Sequence, residues 1–390
     1  LNLLHVVPTY LPAWRHGGPI WAVHGLCKAL AARGHRVTVF TTDVHGDATL
    51  DVPRAEPVAL DGVEVWYFPV TFPRRLYHSP EMTVALAARV RGFDLVHLHS
   101  VFLAPTSAAA RAAERADVPF VVSPRGMLVA DLIRRHGRWR KLAWMLLAER
   151  RTLERASALH VTSALEAEEA ARLGLPLPPA FVVPNGVDPI PEDGGPREPF
   201  VLFLGRVSWK KGLDRLIPAL AHCPDVVLKI AGNDEEGLRP ELESLARDAG
   251  VAGRVEFLGA VEGEEKESLL RRAAVLALPS RSENFGNAVL EAMAAGCPVV
   301  VTPEVGLADT VREAGAGLVV DGAPEALGPA LRDLLADPAR RTEMGRRGAE
   351  AARESFGWDA VARQMEKLYE IAFSPSPRRE GGRPGEGAGG

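Results

Sequence analysis

The stretch "DPIPEDGGPREPFVLFLG", residues 188–205, decides how the chain is divided. Its first twelve residues hold four prolines and two glycines. No regular element survives that composition, so 188–199 is a linker. The next six, Phe200 to Gly205, form a short apolar run that ends on glycine and reads as a buried strand. The chain therefore stops and starts again. Before the linker, runs near 3–8, 36–42, 63–69, 94–100, 119–124, 158–163 and 181–184 have the same Val-rich character, and helical patterns lie between them. After it come 200–205, 225–232, 254–259, 274–280, 298–304 and 317–320. Such alternation predicts βαβ units and parallel sheets. The expectation is an α/β chain with a doubly wound, Rossmann-like domain at 1–187 and a second at 200–355. Open sheets of this kind bind ligands beyond the carboxyl ends of their strands, so a central cleft faced by both domains is expected.

Residues 356–373 place Trp358, Val361, Met365, Leu368 and Ile371 on one stripe of a last helix. This helix is expected to pack back on the N-terminal domain. The Pro/Gly/charge-rich residues 374–390 predict a disordered tail.

With 390 residues, 47% hydrophobic and 25% charged, the chain has enough mass for two cores. A net charge of -4 gives no global reason to expect nucleic acid as a partner. The charge is uneven: residues 1–190 hold 21 Lys+Arg against 17 Asp+Glu, and the remainder 25 against 33. The N-terminal half is the one suited to anionic surfaces. Cys27, Cys223 and Cys297 are scattered among apolar residues without metal-ligand spacing, which predicts buried thiols in a reducing cytosol. No apolar run approaches the ~20 residues of a spanning helix. The opening "LNLLHVVP" reads as a strand rather than a signal peptide, so a cytoplasmic protein is expected.

The chemistry concentrates in "RSENFGNAVLEAMAAGCPVV" (281–300). Glu283 precedes a Phe285-Gly286-Asn287 corner, and Glu291 follows one turn into the helix that the corner opens. Backbone N–H groups at a helix start are orphan donors and attract phosphate. Gly286 admits a ligand close to the backbone. The two carboxylates could then grip hydroxyls on either side of a phosphate, as a sugar–diphosphate–ribose molecule would present them. Upstream, "GRVSWKKG" (205–212) ends the first strand of the second domain with Arg206 and, five residues on, Lys211. Arg offers a fork to phosphate oxygens and Lys a mobile point charge. Either acid alone is equally a helix N-terminal residue favoured by the dipole, and either cation alone a solvated surface charge.

These segments, with "VEFLG" (255–259) between them, resemble the nucleotide-sugar half of the family 4 glycosyltransferases, which have GT-B architecture. "HGGPIWAVHGLCKALAARGHRVTVFTT", "DLVHLHS" and "VPNGVD" in the first half are similar too, so the resemblance runs from about residue 1 to 372. It implies retaining, metal-free transfer from a nucleoside-diphosphate sugar to a hydroxyl acceptor such as a lipid-linked glycan or exopolysaccharide precursor. By that resemblance Glu283 contacts the donor sugar and Glu291 the ribose. Arg206 and Lys211 stabilise the leaving diphosphate, and the Gly17–Gly18 loop closes over it. Gly232 and Gly259 are expected near the base, which backbone groups would read. No cofactor is implied. The chain contains no Asp-x-Asp, the pair with which the other large glycosyltransferase architecture holds a divalent ion.

Other readings stay open. Gly17 and Gly18 also suit a simple helix start with Pro19 behind them. His97 and His99 share one face of a strand, which suggests a metal, but the sequence shows no third ligand. Strand-end packing with His99 touching the acceptor is the other reading. Arg125 in "SPRGML" stands where many relatives carry His. Arginine cannot act as a base at neutral pH, so an anion contact to the acceptor is expected instead. Residues 131–156, with eight Lys/Arg and three acids among apolar residues, suit an anionic membrane face or a core-packed helix with a solvated side. An epimerase or hydrolase on the same architecture, and a non-catalytic nucleotide-sugar sensor, remain the competing functions. A nicotinamide dehydrogenase is excluded because no Gly-x-Gly-x-x-Gly follows an N-terminal strand.

Overall fold

The structure is a computed structural model that describes residues 1–13, 18–54, 56–128, 149–191 and 195–373. Gly17, most of the 131–156 segment, the centre of the linker and the tail 374–390 lie outside the described residues. The chain divides into two compact units. The first holds Leu1–Val161 and Ala167–Val183, joined by the chain from Ala362 onward; the second holds Thr162–Glu166 and Pro184–Val361.

In the first unit the strands are β1 (Asn2–Val6), β2 (Arg36–Thr42), β5 (Val58–Leu60), β6 (Val63–Phe68), β7 (Leu95–His99), β8 (Phe120–Ser123), β9 (Ala158–Val161) and β10 (Ala180–Val182). A two-residue pair, β3 (Val44–His45) and β4 (Ala48–Thr49), stands apart from the sheet. The sheet runs β10-β9-β8-β7-β1-β2-β6-β5, parallel except for the edge strand β5. All five residues of β7 are buried, as expected of a parallel strand covered on both faces. The strand order reverses between β1 and β7, where His5 pairs with His97. Helix Gly18–Ala32 buries Ile20, Val23, Leu26, Cys27 and Leu30, one stripe at helical spacing.

The second unit has β11 (Glu198–Leu204), β12 (Val227–Ala231), β13 (Val255–Gly259), β14 (Ala273–Leu278), β15 (Val299–Val301) and β16 (Gly317–Val319). All pairs are parallel, in the order β13-β12-β11-β14-β15-β16. This is the doubly wound order with its switch point between β11 and β14, and it sets the loops after those two strands side by side. β14 and β15 are buried throughout, so each Val or Leu there contributes about 1.5–3 kcal/mol of burial.

The units part at Val183/Pro184 rather than at residue 188. The reason is local: Val187 N–H donates to Phe356 O at 2.9 Å and Val187 bridges to Gly357, which ties 184–187 to the second unit. The last helix, Trp358–Phe373, contributes its residues from Ala362 onward to the first unit. There Tyr369 is fully buried, and Glu366 pairs with Arg33 at 2.8 Å and His35 at 2.9 Å. All three cysteines are unpaired and buried. Burial pushes the Cys27 thiol up to about 12 and holds Cys297 near 11, so neither is a reactive thiolate.

Candidate active site

β11 ends at Leu204, and the chain then carries Arg206, the 3-10 turn Trp209–Lys211 and Gly212 into helix Leu213–Ala219. β14 ends at Leu278 and leads through Glu283 to Gly286, which caps helix Asn287–Ala294. Two features clamp these neighbouring loops together. Arg281 donates from both Nη atoms to the Asp214 carboxylate at 2.6 Å, and its own N–H donates to Lys210 O at 2.6 Å. The Arg281 fork holds the Asp214 carboxyl below its ordinary range. Gly212, at φ +69, lies so close to the carbonyl of Pro279 that a Cβ there would come within 2.1 Å of its oxygen. Only glycine fits that approach.

The clamp brings Lys211 against Glu283. Their side chains form an ion pair, each 18% exposed. Glu283 is held on both sides of its backbone: its N–H donates to Glu304 O at 3.0 Å, and its carbonyl accepts from Gly306 N–H at 2.9 Å. Gly286 sits at φ +103, a conformation that L side chains rarely adopt, and turns the chain into the helix. Its carbonyl accepts from Val289 and Leu290. Among the described residues, nothing accepts from the N–H groups of Asn287 and Ala288 at this helix start. The Asn287 side chain is fixed by the Asn185 amide at 2.9 Å.

Arg206 is more exposed, and its guanidinium pairs with Glu235 at 2.8 Å. Trp209 N–H donates to Glu236 at 3.1 Å. Burial, and then the Arg206 charge, lower the pKa of Lys210 between them. Gly232 N–H donates to Gly259 O at 2.7 Å, which ties the ends of β12 and β13. Gly259 itself borders open space. The Phe285 side chain is 3% exposed and belongs to the core, so only its backbone is left to meet a ligand.

Thus Arg206, Lys211, Glu283, Phe285, Gly286 and Asn287 gather on the loops after β11 and β14, and Glu291 lies on the helix that follows. Sequence reasoning missed one residue, Lys266. It stands on helix Gly263–Arg272 with its ammonium 3.0 Å from the Glu291 carboxylate. No motif announces it, because the contact needs two helices side by side.

In the first unit Gly18 is the first residue of its helix, and Gly17 lies outside the described residues. The strand order also supplies what the sequence did not show beside His97 and His99. His5, on the adjacent strand, brings a third imidazole, and one ring nitrogen from each of the three lies within 4.8 Å of the others. His160 on β9 adds a fourth.

Each tautomer follows from its neighbours. Arg125 can only donate, so His99 Nδ1, 3.3 Å away, accepts and His99 Nε2–H donates to His5 Nδ1 at 3.0 Å. Val183 O can only accept, so His160 Nε2–H donates to it at 2.9 Å. His160 Nδ1 then accepts from His97 Nε2–H at 3.3 Å, and His97 Nδ1 accepts from the Tyr369 hydroxyl at 2.8 Å. Burial drives His5 and His160 down to about 3 and lowers His97 and His99 well below their ordinary value, so all four are neutral. In this arrangement every ring lone pair accepts a hydrogen bond, which a metal ion would have to displace, and the His5 Nε2–H is buried without a partner among the described residues. Arg125 has φ +54 in the turn after β8, with its guanidinium on His99.

Comparison with known proteins agrees with this geometry. The family model "Glycosyl transferase 4-like domain" matches residues 17–186, and "Glycosyl transferases group 1" matches 190–351. A D-inositol 3-phosphate glycosyltransferase of Xylanimonas cellulosilytica is 33% identical over 93% of this chain and 94% of its own length. The chain belongs to the family 4 glycosyltransferases. A second D-inositol 3-phosphate glycosyltransferase, from Kineococcus radiotolerans, is 30% identical over 94% of this chain and 93% of its own. Among solved structures, sucrose-phosphate synthase from Thermosynechococcus elongatus matches this glycosyltransferase with a TM-score of 0.76 at 24% identity, covering 96% of this chain and all of the other. Anabaena HepE, solved with UDP and glucose, matches with a TM-score of 0.72 at 20% identity, covering 95% and 99%. The fold is that of the GT-B glycosyltransferases. Among the described residues no helix is long and apolar enough to cross a membrane.

Proposed function

We propose that this glycosyltransferase takes its sugar from a nucleoside diphosphate and transfers it to a hydroxyl with retention of configuration. The observation that carries the reading is the largely buried Lys211–Glu283 pair just ahead of the helix start, where no described residue accepts from the N–H groups of Asn287 and Ala288. A helix N-terminus and an ammonium are the two groups that favour a diphosphate. As the bond from the sugar's anomeric carbon to the diphosphate breaks, negative charge grows on the departing oxygen. Lys211, Arg206 and the helix start would stabilise that charge more than the ground state, which is what accelerates transfer. Glu283 would orient the sugar through its hydroxyls and Glu291 the ribose. The acceptor oxygen bonds to the same face the diphosphate leaves, and its proton passes to the diphosphate. Arg206 would exchange Glu235 for a phosphate oxygen.

The relatives named for D-inositol 3-phosphate make a phosphorylated polyol the first acceptor to try, with the Arg125 guanidinium as its expected contact and His99, buried behind it, as the group that holds Arg125 in place. The lipid-linked acceptor and the membrane contact rest on 131–156, largely outside the described residues. The test is to offer UDP-, GDP- and ADP-sugars with and without D-inositol 3-phosphate and lipid-linked glycans. Nucleoside diphosphate release that requires an acceptor, with a product of unchanged anomeric configuration by NMR, is the expected result. Release without acceptor would make the chain a hydrolase. An isomerised donor would make it an epimerase, and binding without turnover a sensor.

A further inference from the structure

Both acids of the site carry a lysine, yet the two lysines come from different places. Lys211 arrives on the loop after β11, next to the unclaimed helix N–H groups. Lys266 arrives from helix Gly263–Arg272, and among the described residues its ammonium pairs with the acid one turn inside that helix start. The Glu291 and Lys266 side chains are 27% and 30% exposed, so neither charge is fully solvated and each needs the other. The contact uses one carboxylate oxygen, Oε1. That contact restrains where Oε1 lies and leaves Oε2 to accept from a ligand hydroxyl.

We propose that Lys266 is a positioning residue that sets how strongly Glu291 reads the ribose of the donor nucleotide. The inference rests on the placement of Glu291 at the ribose given above. Without the ammonium, the carboxylate is released to rotate into water, and the hydroxyl contact then costs the ordering that Lys266 now supplies in advance. The expected loss is about tenfold in affinity, the low end of what a hydrogen bond to a charged group contributes. The effect is confined to the ribose side: the diphosphate is held by Lys211 and the helix start, which Lys266 does not touch.

The test measures binding by calorimetry with UDP, GDP and ADP and with their 2′-deoxy counterparts, taking the base that binds most tightly. In the wild type the ribonucleotide should bind about tenfold better than its 2′-deoxy form. Lys266→Met should weaken the ribonucleotide about tenfold, leave the 2′-deoxy form nearly unchanged and so erase the preference. Lys266→Arg should restore most of it. Glu291→Gln should also erase it, with unchanged thermal midpoints for all variants. If Glu291→Gln erases the preference but Lys266→Met keeps it, the role given to Lys266 is wrong and the donor site stands. If Glu291→Gln keeps it too, the ribose placement itself falls, and the inference with it.

Discussion

Two polar clusters sit on two sheets of similar design, and they are built in opposite ways. In the first unit four imidazoles, Tyr369 and Arg125 form a buried network in which every imidazole is neutral and every ring lone pair is used. In the second unit Lys211, Glu283, Lys266, Glu291, Arg206 and Glu235 are charged and partly open to solvent, and each is held by a single opposing charge. A buried set of neutral rings whose lone pairs are all used offers a ligand little beyond the Arg125 guanidinium at its end, and its hydrogen bonds go mainly into stability and order. A set of half-exposed ion pairs beside unclaimed N–H groups can exchange partners cheaply when a diphosphate arrives. The difference separates a buried, neutral cluster from a set of partly exposed ion pairs, and the sequence reading places the chemistry in the second of the two.

The contrast can be broken most severely at Lys211 and Glu283. Lys211→Ala or Glu283→Ala should lower transfer by about a thousandfold or more, with the thermal midpoint nearly unchanged. Steady-state rates and calorimetry on the same preparations check both halves, and a variant with wild-type turnover would overturn the site.

In the other cluster the signs reverse. Tyr369→Phe removes the donor to His97 and strands a buried lone pair, which should cost about 1–3 kcal/mol of stability. Denaturant unfolding measures that cost, and turnover at a temperature where the variant stays folded should be close to wild type.

The legibility of the two regions differed for related reasons. Parallel strands buried on both faces leave continuous Val-rich runs, so every principal strand of both sheets could be read, from Arg36–Thr42 to Gly317–Val319. The edge strand Val58–Leu60 escaped. Its Asp61-Gly62 turn, at φ 49 and 80, is a two-residue hairpin signal hidden in a polar stretch. Glu283, Glu291, Arg206 and Lys211 were legible because the doubly wound order brings strand ends together in a known way. His5 and His160 were not, since their meeting with His97 depends on which strands become neighbours across the sheet. Lys266 was hidden because helix packing, not a motif, delivers it.

A pH titration sharpens the contrast further. Unfolded histidine takes its proton near 6.5, whereas folded His5 and His160 resist it until about 3. Between those values the unfolded chain binds more protons, so stability should fall as pH falls through that window and stay flat above it. Each of the two contributes about 1.4 kcal/mol per pH unit at most. Thermal midpoints from pH 7 to 4 should show a steep decline that His5→Phe makes shallower. The smallest expected effect is that of chelation. Transfer in EDTA should equal transfer without it if, as proposed, Lys211, Arg206 and the helix start meet the charge on the leaving group; strict dependence on a divalent ion would contradict that assignment.

The most direct measurement is a crystal structure with the nucleoside diphosphate that calorimetry shows to bind. The diphosphate oxygens should lie within hydrogen-bonding distance of the Lys211 ammonium and the N–H groups of Asn287 and Ala288, with Glu291 on the ribose. A diphosphate seated away from that helix start, with the Lys211–Glu283 pair undisturbed, would contradict the account.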